Sequence, residues 1–396
     1  MYILAVFSYT VVITAVSAIS ADDMRIHLNS TISSDYYTYV RPVTDQSDIV
    51  RVTADLYLVG INSFDNAEQM LTTTAYLEVK WTDEIIARDW ANAGISTMYV
   101  PQNNIWVPDL ALHNGFETLS GLGSNFLYLK VEQAGNVTWR PFQVFESACE
   151  VHVTFFPFDK TTCDLNFVIW SNTKTAVTIE KGSVGLNTEF YETNSEWDLL
   201  STTARSYTTS KSTGVTFSVE IKRKPLHYLL NILLPVIMLG ILNVFVFILP
   251  ASSGEKTGYS VTAFLSFAVF LTIISTELPR NSTDISTFSA YLFIMTLVST
   301  IMVVFTLIQL RISIRDDSRP VSRYWNAVTR CVKRVQCAIC IGSGHVTTNK
   351  KSTDDEITWD DVTHAIDFVG FWSFLLFMIL FTAIILIVST VGASQS

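Results

Sequence analysis

Four long apolar stretches in the C-terminal part of the chain limit its possible folds more than any other feature. They cover residues 226–249, 261–277, 286–310 and 365–391. Each is near the ~20 residues that a helix needs to cross about 30 Å of hydrocarbon. Only 16% of the residues are charged, against about a quarter in soluble domains. We therefore predict three transmembrane helices within residues 226–310, and a fourth with a short tail within 362–396.

The first 20 residues form a shorter apolar run, which is followed by Ala21, Asp22 and Asp23. Such a run is typical of a secretory signal peptide. Residues 21–225 are then expected outside the cell, and the four spans place residues 311–361 in the cytoplasm. That segment begins with basic residues, as the positive-inside rule requires. They are Arg311, Arg315, Arg319, Arg323, Arg330, Lys333 and Arg334.

The predicted extracellular part is acidic. Residues 21–225 contain 25 Asp and Glu against 15 Lys and Arg. A negative field of this kind concentrates cations, although the same charge is equally expected of an ordinary solvated surface. Sequons predict glycosylation at Asn29 and Asn136, whereas the sequon at Asn281 lies too close to a predicted span.

Period-two patterns dominate the extracellular part. Val215, Phe217, Val219 and Ile221 alternate with polar residues, and the segment 75–81 alternates in the same way. Short alternating segments separated by turn residues indicate an antiparallel β-sandwich. Cys149 and Cys163 are the two cysteines of this part. The oxidising compartment favours a disulfide between them, and closing the loop stabilises the fold by about 3 kcal/mol on the chain-entropy model.

The Phe-Pro-Phe-Asp sequence at 156–159, inside that loop, resembles the signature of the cysteine-loop receptors, and the resemblance covers nearly the whole chain. The Trp-Val-Pro-Asp sequence at 106–109 matches a second family motif, and residues 39–43 resemble the end of the family's N-terminal helix. Residues 253–256 (Ser-Gly-Glu-Lys) resemble the cation-selective nicotinic branch. The resemblance implies an extracellular antiparallel β-sandwich with a short N-terminal helix, followed by a four-helix transmembrane bundle, assembled as a pentamer.

In this family the agonist binds between subunits, in a box of aromatic rings that hold a cation at about 0.5–2 kcal/mol per contact. Matching the family position by position implies six agonist-binding residues. They are Trp170, Tyr76, Tyr207, His113, Arg140 and Trp139. For each of them, packing within the sandwich remains an alternative.

The chain departs from the nicotinic pattern at the capping loop. Thr208, Thr209 and Ser210 stand where agonist-binding nicotinic subunits have adjacent cysteines, and a second tyrosine of that loop is missing. Arg140 would suit an anion or a zwitterion better than acetylcholine. The identity of the agonist is therefore left open.

The second span, predicted as a pore helix over about 256–277, carries a stripe of small, hydroxylated and aliphatic residues. The stripe lies within about 80° on a helical wheel. Its aliphatic middle would close a pore by dewetting, although scattered threonines bonded to their own backbone remain an alternative. The predicted pore-lining residues are Glu255, Gly258, Thr262, Leu265, Val269, Thr272 and Thr276. Phe264, Phe267, Val261 and Ile274 are predicted to pack on the opposite side.

Five copies of Glu255 at the cytoplasmic mouth would favour cations over anions. Lys256 follows directly in the sequence, and the resemblance implies that it points away from the path. Glu277 is a candidate for a second acidic ring at the outer end.

The resemblance also implies a set of residues that couple the sandwich to the pore. They are Asp65, Phe156, Pro157, Phe158, Asp159 and Arg223, together with the segment 279–285. Arg223 matches a family arginine that pairs with an acidic residue. Asn66 stands at that acidic position here, so Asp65 is expected to pair with Arg223 instead. Pro235 matches a family proline in the first span.

The cytoplasmic segment carries Cys331, Cys337 and Cys340, followed by His345. Zinc binding, reversible acylation and unreacted thiols all remain open, and no metal site is predicted because the spacing fits no paired Cys-x-x-Cys pattern.

These features predict a plasma-membrane, ligand-gated, cation-selective channel subunit. Its expected partners are a small-molecule agonist, monovalent cations, four further subunits and membrane lipids, with no nucleic acid and no cofactor. The sequence lacks Gly-x-Ser-x-Gly, His-Glu-x-x-His and phosphate-loop motifs, so an enzyme is not predicted. An auxiliary subunit that needs partners, or a non-conducting membrane-anchored binding protein, remains the alternative.

Overall fold

The structure is a computed structural model that describes residues 26, 38–90, 96–115, 121–251, 254–277, 286–314, 321–342 and 357–395. The predicted signal peptide and the Asn29 sequon lie outside these residues, whereas residues 39–43, predicted as the end of the N-terminal helix, are described and form turns and bends. The described chain has a β-rich part followed by long helices, so the predicted order of the sandwich and the helical bundle is confirmed.

Within the described residues, two sheets form the β-rich part. One sheet has the strand order β3-β5-β6-β2-β1-β9 with β7 also paired to β2, and the other has the order β10-β11-β8-β4. The strands are β1 (Val50–Asp65), β2 (Met70–Thr82), β3 (Thr97–Pro101), β4 (Leu110–Leu112), β5 (Tyr128–Glu132), β6 (Asn136–Trp139), β7 (Phe142–Ala148), β8 (Lys160–Ile169), β9 (Val177–Asn187), β10 (Trp197–Thr208) and β11 (Thr213–Arg223).

Alternation within the strands builds the core between the sheets. Leu77 and Val79 of β2 and Phe217 and Val219 of β11 are fully buried, because successive strand residues point to opposite faces. The core therefore forms from the residues that the period-two pattern marks. A disulfide joins Cys149, just after β7, to Cys163 in β8, which confirms that pairing.

Helices provide the rest of the described chain. A short helix that the sequence analysis did not predict, α1 (Glu84–Trp90), follows β2. The four candidate membrane spans are confirmed in number. They lie in α2 (Leu226–Ile248), α3 (Glu255–Glu277), α4 (Thr287–Ser313) and α6 (Trp359–Gln395). A helix within the segment predicted to be cytoplasmic, α5 (Arg323–Gly342), was also not predicted.

The first span changes its helical form at a proline. Leu229–Leu233 form a π-helical turn, directly before the α-helical part Leu234–Val244. Pro235 has no backbone N–H and its ring crowds the carbonyl of residue 231, so an ordinary turn cannot form there. The family proline thus marks a local widening of α2.

The second cluster of buried side chains lies among α2, α3, α4 and α6. Helix α5 packs on α6, where Lys333 Nζ lies 2.8 Å from Asp361 Oδ1. Close to this ion pair, Trp359 and Val362 are buried near Trp325 of α5. The helix that contains the fourth candidate span begins at Trp359.

Candidate functional site

One face of the sandwich brings three of the predicted agonist-binding residues together. Trp170, Tyr207 and His113 line a concavity of about 410 Å³ between the end of β8 and the β10–β11 turn. Trp170 is 56% exposed, so its ring is available to a ligand. Lys174 donates from Nζ to the Thr209 carbonyl at 3.2 Å, which links the segment after β8 to the β10–β11 turn.

The carboxylate of Asp109, the last residue of the Trp-Val-Pro-Asp motif, holds the backbone after Trp170. It accepts hydrogen bonds from the Ser171 amide and, at 3.2 Å, from Asn172 Nδ2. The amide of Trp170 itself donates to the Asp109 carbonyl at 3.0 Å. Asp109 therefore positions the central tryptophan, a role that the sequence analysis did not assign.

Tyr207 lies flat against the neighbouring strand β11. A Cβ at Gly214 would overlap the Tyr207 ring, so the glycine makes room for it. Burial raises the pKa of the Tyr207 hydroxyl. The ring also lines a second concavity of about 430 Å³, with Asp164, Asn166 and Arg205 among its other residues, and it thus separates the two cavities.

Tyr76 lies elsewhere, on the outer face of β2, and does not line the concavity at Trp170. Its ring stacks on Tyr57 with centroids 4.7 Å apart and an interplanar angle of 3°, and Phe190 lies 6.4 Å away. Burial raises the pKa of Tyr76. The sequence analysis did not identify Tyr57, on β1, or Phe190, which follows β9. Both come close to Tyr76 only because β1 pairs with β2 and with β9.

Arg140 lies on the same face as Tyr76, in an ion-pair cluster. The buried carboxylate of Glu78 contacts both Arg140 and Lys80. Burial alone would raise the pKa of Glu78, but hydrogen bonds from Lys80 and Arg140 outweigh it and hold the pKa below its ordinary value. The Glu78 carboxylate therefore forms ion pairs with two cationic side chains.

The prediction of Trp139 as an agonist contact is wrong. Its side chain is 1% exposed within the core, and its Nε1 donates to Gln102 Oε1 at 3.1 Å. Successive residues of β6 and the segment after it point to opposite faces, so Arg140 faces outward and Trp139 inward. The position that the family resemblance assigned to agonist binding is thus occupied by a core tryptophan in this chain.

Helix α3, which the sequence predicts to line the pore, exposes one side along its described length. Six predicted pore-lining residues are exposed, while the Thr276 side chain lies outside the described residues. The six are Glu255, Gly258, Thr262, Leu265, Val269 and Thr272. Phe267 and Ile274 are buried on the opposite side. Val261, predicted to pack there too, is 47% exposed, because it lies at the edge of the exposed stripe.

Hydroxyl groups of this exposed stripe bond to their own helix. Thr262 Oγ1 donates to the Gly258 carbonyl at 2.8 Å, and Thr272 Oγ1 donates to the Val269 carbonyl at 2.7 Å. Their side chains are nevertheless exposed, so each hydroxyl oxygen can still accept a hydrogen bond from water.

Lys256 turns away from the exposed stripe. Its side chain is 3% exposed, and its Nζ donates to Asp367 Oδ1 of α6. Beside this ion pair, Gln309 of α4 donates to the Thr363 carbonyl at 3.1 Å. The buried polar groups thus join α3, α4 and α6 near Glu255.

Arg223, at the end of β11, lies in a buried cage between the sandwich and the helices. Its Nε is 2.9 Å from Asp159 Oδ1, with both side chains 1% exposed. Its Nη2 donates to Asn66 Oδ1 at 2.7 Å, and the guanidinium lies 4.2 Å from the Trp197 ring. The neighbouring rings lower the cost of burying the charge.

The predicted pairing of Arg223 with Asp65 is wrong. Asp65 Oδ1 instead accepts from the amides of Ala67 and Glu68, at 2.8 and 2.9 Å. The carboxylate is occupied by the turn that follows β1, which leaves Asn66 to face the guanidinium. Tyr228 of α2 also accepts from Arg223, at 3.2 Å.

The disulfide loop contacts the helices directly. Phe156 lies 4.9 Å from Tyr228 and 5.9 Å from Phe288, and the Thr287 amide donates to the Thr154 carbonyl at 2.9 Å. A Cβ at Gly392 of α6 would overlap the Phe155 ring, the residue before Phe156. The predicted contact segment 279–285 lies outside the described residues.

The remaining predicted sites are a surface asparagine and the cytoplasmic cysteines. Asn136 is exposed at the start of β6, and its glycosylation stays a prediction. Cys331 is an exposed free thiol, while the side chains of Cys337 and Cys340 are outside the described part. Among the described residues, no group of three or more His, Cys, Asp or Glu could hold a metal ion.

Two family models match the chain. The neurotransmitter-gated ion-channel ligand binding domain matches residues 25–225, and the neurotransmitter-gated ion-channel transmembrane region matches residues 232–340. Both matches agree with the β-rich part and the helical part of the structure.

Similar proteins include three receptor subunits. Human neuronal acetylcholine receptor subunit alpha-2 is 29% identical over 309 residues, covering 76% of this chain and 58% of that protein. Rat subunit beta-3 is 31% identical over 72% of this chain and 62% of its own length. Drosophila melanogaster acetylcholine receptor subunit alpha-like 2 is 30% identical over 75% and 54%. The alignments thus span between about half and two thirds of these relatives. The chain belongs to the neurotransmitter-gated ion-channel family, as a plasma-membrane protein with an extracellular N-terminal domain.

Proposed function

We propose that the chain is a subunit of a pentameric ligand-gated channel that conducts cations. The exposed stripe of α3 is the observation that carries the proposal. It holds Glu255, Thr262 and Thr272 on a side that is exposed among the described residues of the subunit. Lipid leaves polar side chains unsolvated, so this side is better explained by a water-filled pore.

Five copies of α3 around an axis would place Leu265 and Val269 in two apolar rings. Such rings close a pore by dewetting. Below them, five Glu255 carboxylates would attract cations, while Lys256 is neutralised by Asp367 away from the path. The arrangement supports selectivity for cations.

The agonist site is proposed between neighbouring subunits, because each chain carries two separate half-sites. One half-site is the concavity at Trp170 and Tyr207, and the other is the Tyr57–Tyr76 stack with Arg140. The cage around Arg223 is proposed to couple ligand binding to α3. Similarity to acetylcholine receptor subunits supports a small-molecule agonist.

The decisive experiment needs no agonist. We expect Leu265→Ser to wet the closed pore and produce a standing current when the chain is expressed alone in oocytes. Replacing external sodium by a large organic cation should shift the reversal potential strongly to negative values, and replacing chloride should shift it little. Leu271→Ser, the same change on a partly buried residue of the same helix, is the control and should give no such current.

A standing current that follows chloride would overturn cation selection by Glu255 and leave the channel proposal intact. Absence of current, with the protein present at the cell surface, would favour the second candidate, an auxiliary subunit that conducts only with partners. The capping loop supports that candidate, since Thr208, Thr209 and Ser210 replace the cysteine pair of agonist-binding nicotinic subunits.

A further inference from the structure

We propose that an N-linked oligosaccharide on Asn136 opposes self-assembly of this chain, because it lies on the face of the sandwich that a neighbouring subunit would cover. The inference rests on the proposed pentamer and adds a control over which subunits form it. A glycosylated copy would then assemble best with a different subunit, one whose surface leaves room for the sugar.

Asn136 lies at the exposed end of the β5–β6 hairpin. Gly135, directly before it, has a φ of 80°, and its amide donates to the Glu132 carbonyl at 2.8 Å, which closes the turn. Asn136 is the first residue of β6, and its side chain is exposed. A sugar on this asparagine therefore requires no rearrangement of the sandwich.

Alternation along β6 places the sequon on the outer face of its sheet. Asn136 and Arg140 are exposed, whereas Trp139 is buried, because successive strand residues point to opposite faces. Asn136 lies opposite Thr82 of β2, and the Thr82 hydroxyl donates to Asn136 Oδ1 at 3.4 Å. Tyr76 precedes Thr82 by six residues on the same strand, so the sequon and the Tyr76 half-site share one face.

The position of the sugar falls within the area that a neighbouring subunit would cover. Asn136 precedes Arg140 by four residues, which is about 13 Å of extended chain at about 3.3 Å per residue. A typical stable interface buries about 800 Å² on each partner, equivalent to a patch about 16 Å in radius, and obligate interfaces are larger. A subunit docked over Arg140 therefore meets the sugar.

The surface beside Asn136 suits carbohydrate. A concavity of about 330 Å³ adjoins this residue, and most of its lining residues are polar, among them Arg51, Lys80, Thr82 and Thr138. Such side chains exchange hydrogen bonds with hydroxyl groups, so the first sugars can lie in the concavity. A branched oligosaccharide exceeds this volume, and its outer sugars project from the face.

The attachment reaction needs two residues of the sequon. Asn136 Nδ2 bonds to the anomeric carbon of a lipid-linked oligosaccharide pyrophosphate, loses one proton and keeps one N–H, and the lipid pyrophosphate leaves. The third position must be serine or threonine, and Thr138 supplies it. Thr138→Ala therefore abolishes the sequon without changing Asn136, whereas Thr138→Ser keeps it.

The test compares the unchanged chain with Asn136→Gln, Thr138→Ala and Thr138→Ser, each expressed alone in oocytes. Subunit mass before and after enzymatic deglycosylation reports the number of glycans. Size-exclusion chromatography in mild detergent gives the ratio of pentamer to monomer. Because two different residues remove the sequon and Thr138→Ser preserves it, an effect of the sugar is separated from an effect of either side chain on folding.

We expect the unchanged chain and Thr138→Ser to carry one glycan more than the other two variants. The ratio of pentamer to monomer should rise about 5-fold or more in Asn136→Gln and in Thr138→Ala, since the steric conflict is removed, and should stay unchanged in Thr138→Ser. Equal glycan numbers in all four forms, or equal ratios, would overturn the proposal.

The standing current of Leu265→Ser reports on the proposed function separately. A cation current together with equal pentamer ratios would reject the role of the Asn136 glycan and leave the channel intact. Monomer alone in every form, with no current, would reject both the glycan control and the proposed homomeric pentamer.

Discussion

Two arginine–aspartate pairs of this chain show how burial changes the value of one interaction. Arg223 and Asp159 are each 1% exposed, whereas Arg205 and Asp164, whose Nη2 and Oδ2 lie 3.1 Å apart, are 68% and 34% exposed. Removing one partner of a buried pair leaves an unpaired charge without water, while water and salt screen an exposed pair. The burial of the pair therefore decides how much free energy of unfolding is lost when one partner is removed.

We expect Arg223→Gln to lower the free energy of unfolding by about 3–5 kcal/mol, because Asp159 stays buried without a cation. The matched variant Arg205→Gln should cost less than about 1 kcal/mol. Thermal denaturation of the detergent-solubilised protein, followed by size-exclusion chromatography, measures both. Similar losses in the two variants would contradict this account.

At the scale of elements, the ion pair of Lys256 and Asp367 joins the first turn of α3 to α6. The two side chains are 3% and 9% exposed, and Gln309 of α4 lies beside them. The pair orients α3 so that Glu255, the preceding residue, falls on the exposed side.

A double-mutant cycle tests this anchor. Lys256→Met and Asp367→Leu should each destabilise the protein by about 3–5 kcal/mol, because each leaves one buried charge unpaired. The double variant should recover most of that loss, since an apolar pair of similar volume packs there without charge. The measurement is the same thermal denaturation assay, and additive losses in the double variant would rule out a direct pairing.

At the scale of the whole molecule, the extracellular part and the helical bundle meet at several contacts besides Arg223. The end of α6 approaches the disulfide loop so closely that Gly392 has no space for a side chain beside Phe155. Nearby, Thr287 at the start of α4 hydrogen-bonds Ser389 of α6 at 2.9 Å. The last turns of α6 therefore belong to the junction between the two parts.

We expect Gly392→Val to push α6 away from the loop and to lower the standing current of the Leu265→Ser channel, by a factor of about two or more, since overpacking costs roughly 1–3 kcal/mol. Phe155→Ala removes the obstructing ring, so adding it to Gly392→Val should restore part of the current. Currents are normalised to surface protein. An unchanged current in Gly392→Val would show that this contact does not influence the pore.

Sequence reasoning reached the fold because its signals are local. Apolar length predicted the four spans, period-two alternation predicted the strands, and two cysteines in an oxidising compartment predicted the disulfide. The cluster of Trp170, Tyr207 and His113 followed from the family resemblance. The sequence did not predict the roles of Tyr57, Phe190 and Asp109. Each contacts its neighbour only because strand pairing or a turn brings distant segments together.

The sequence by itself determined which segments are apolar, which alternate and which carry the family motifs, because hydrophobic periodicity acts over a few neighbouring residues. Only the tertiary structure decided the partners. In the fold, Trp139 is buried and Arg140 faces outward. Arg223 contacts Asn66 and Asp159 in place of Asp65, and Lys256 pairs with Asp367. Asp159 and Asn66 lie 64 and 157 residues from Arg223 along the chain, and Asp367 lies 111 residues from Lys256. Local patterns carry no information about such meetings, since they arise from the packing of sheets and helices against each other.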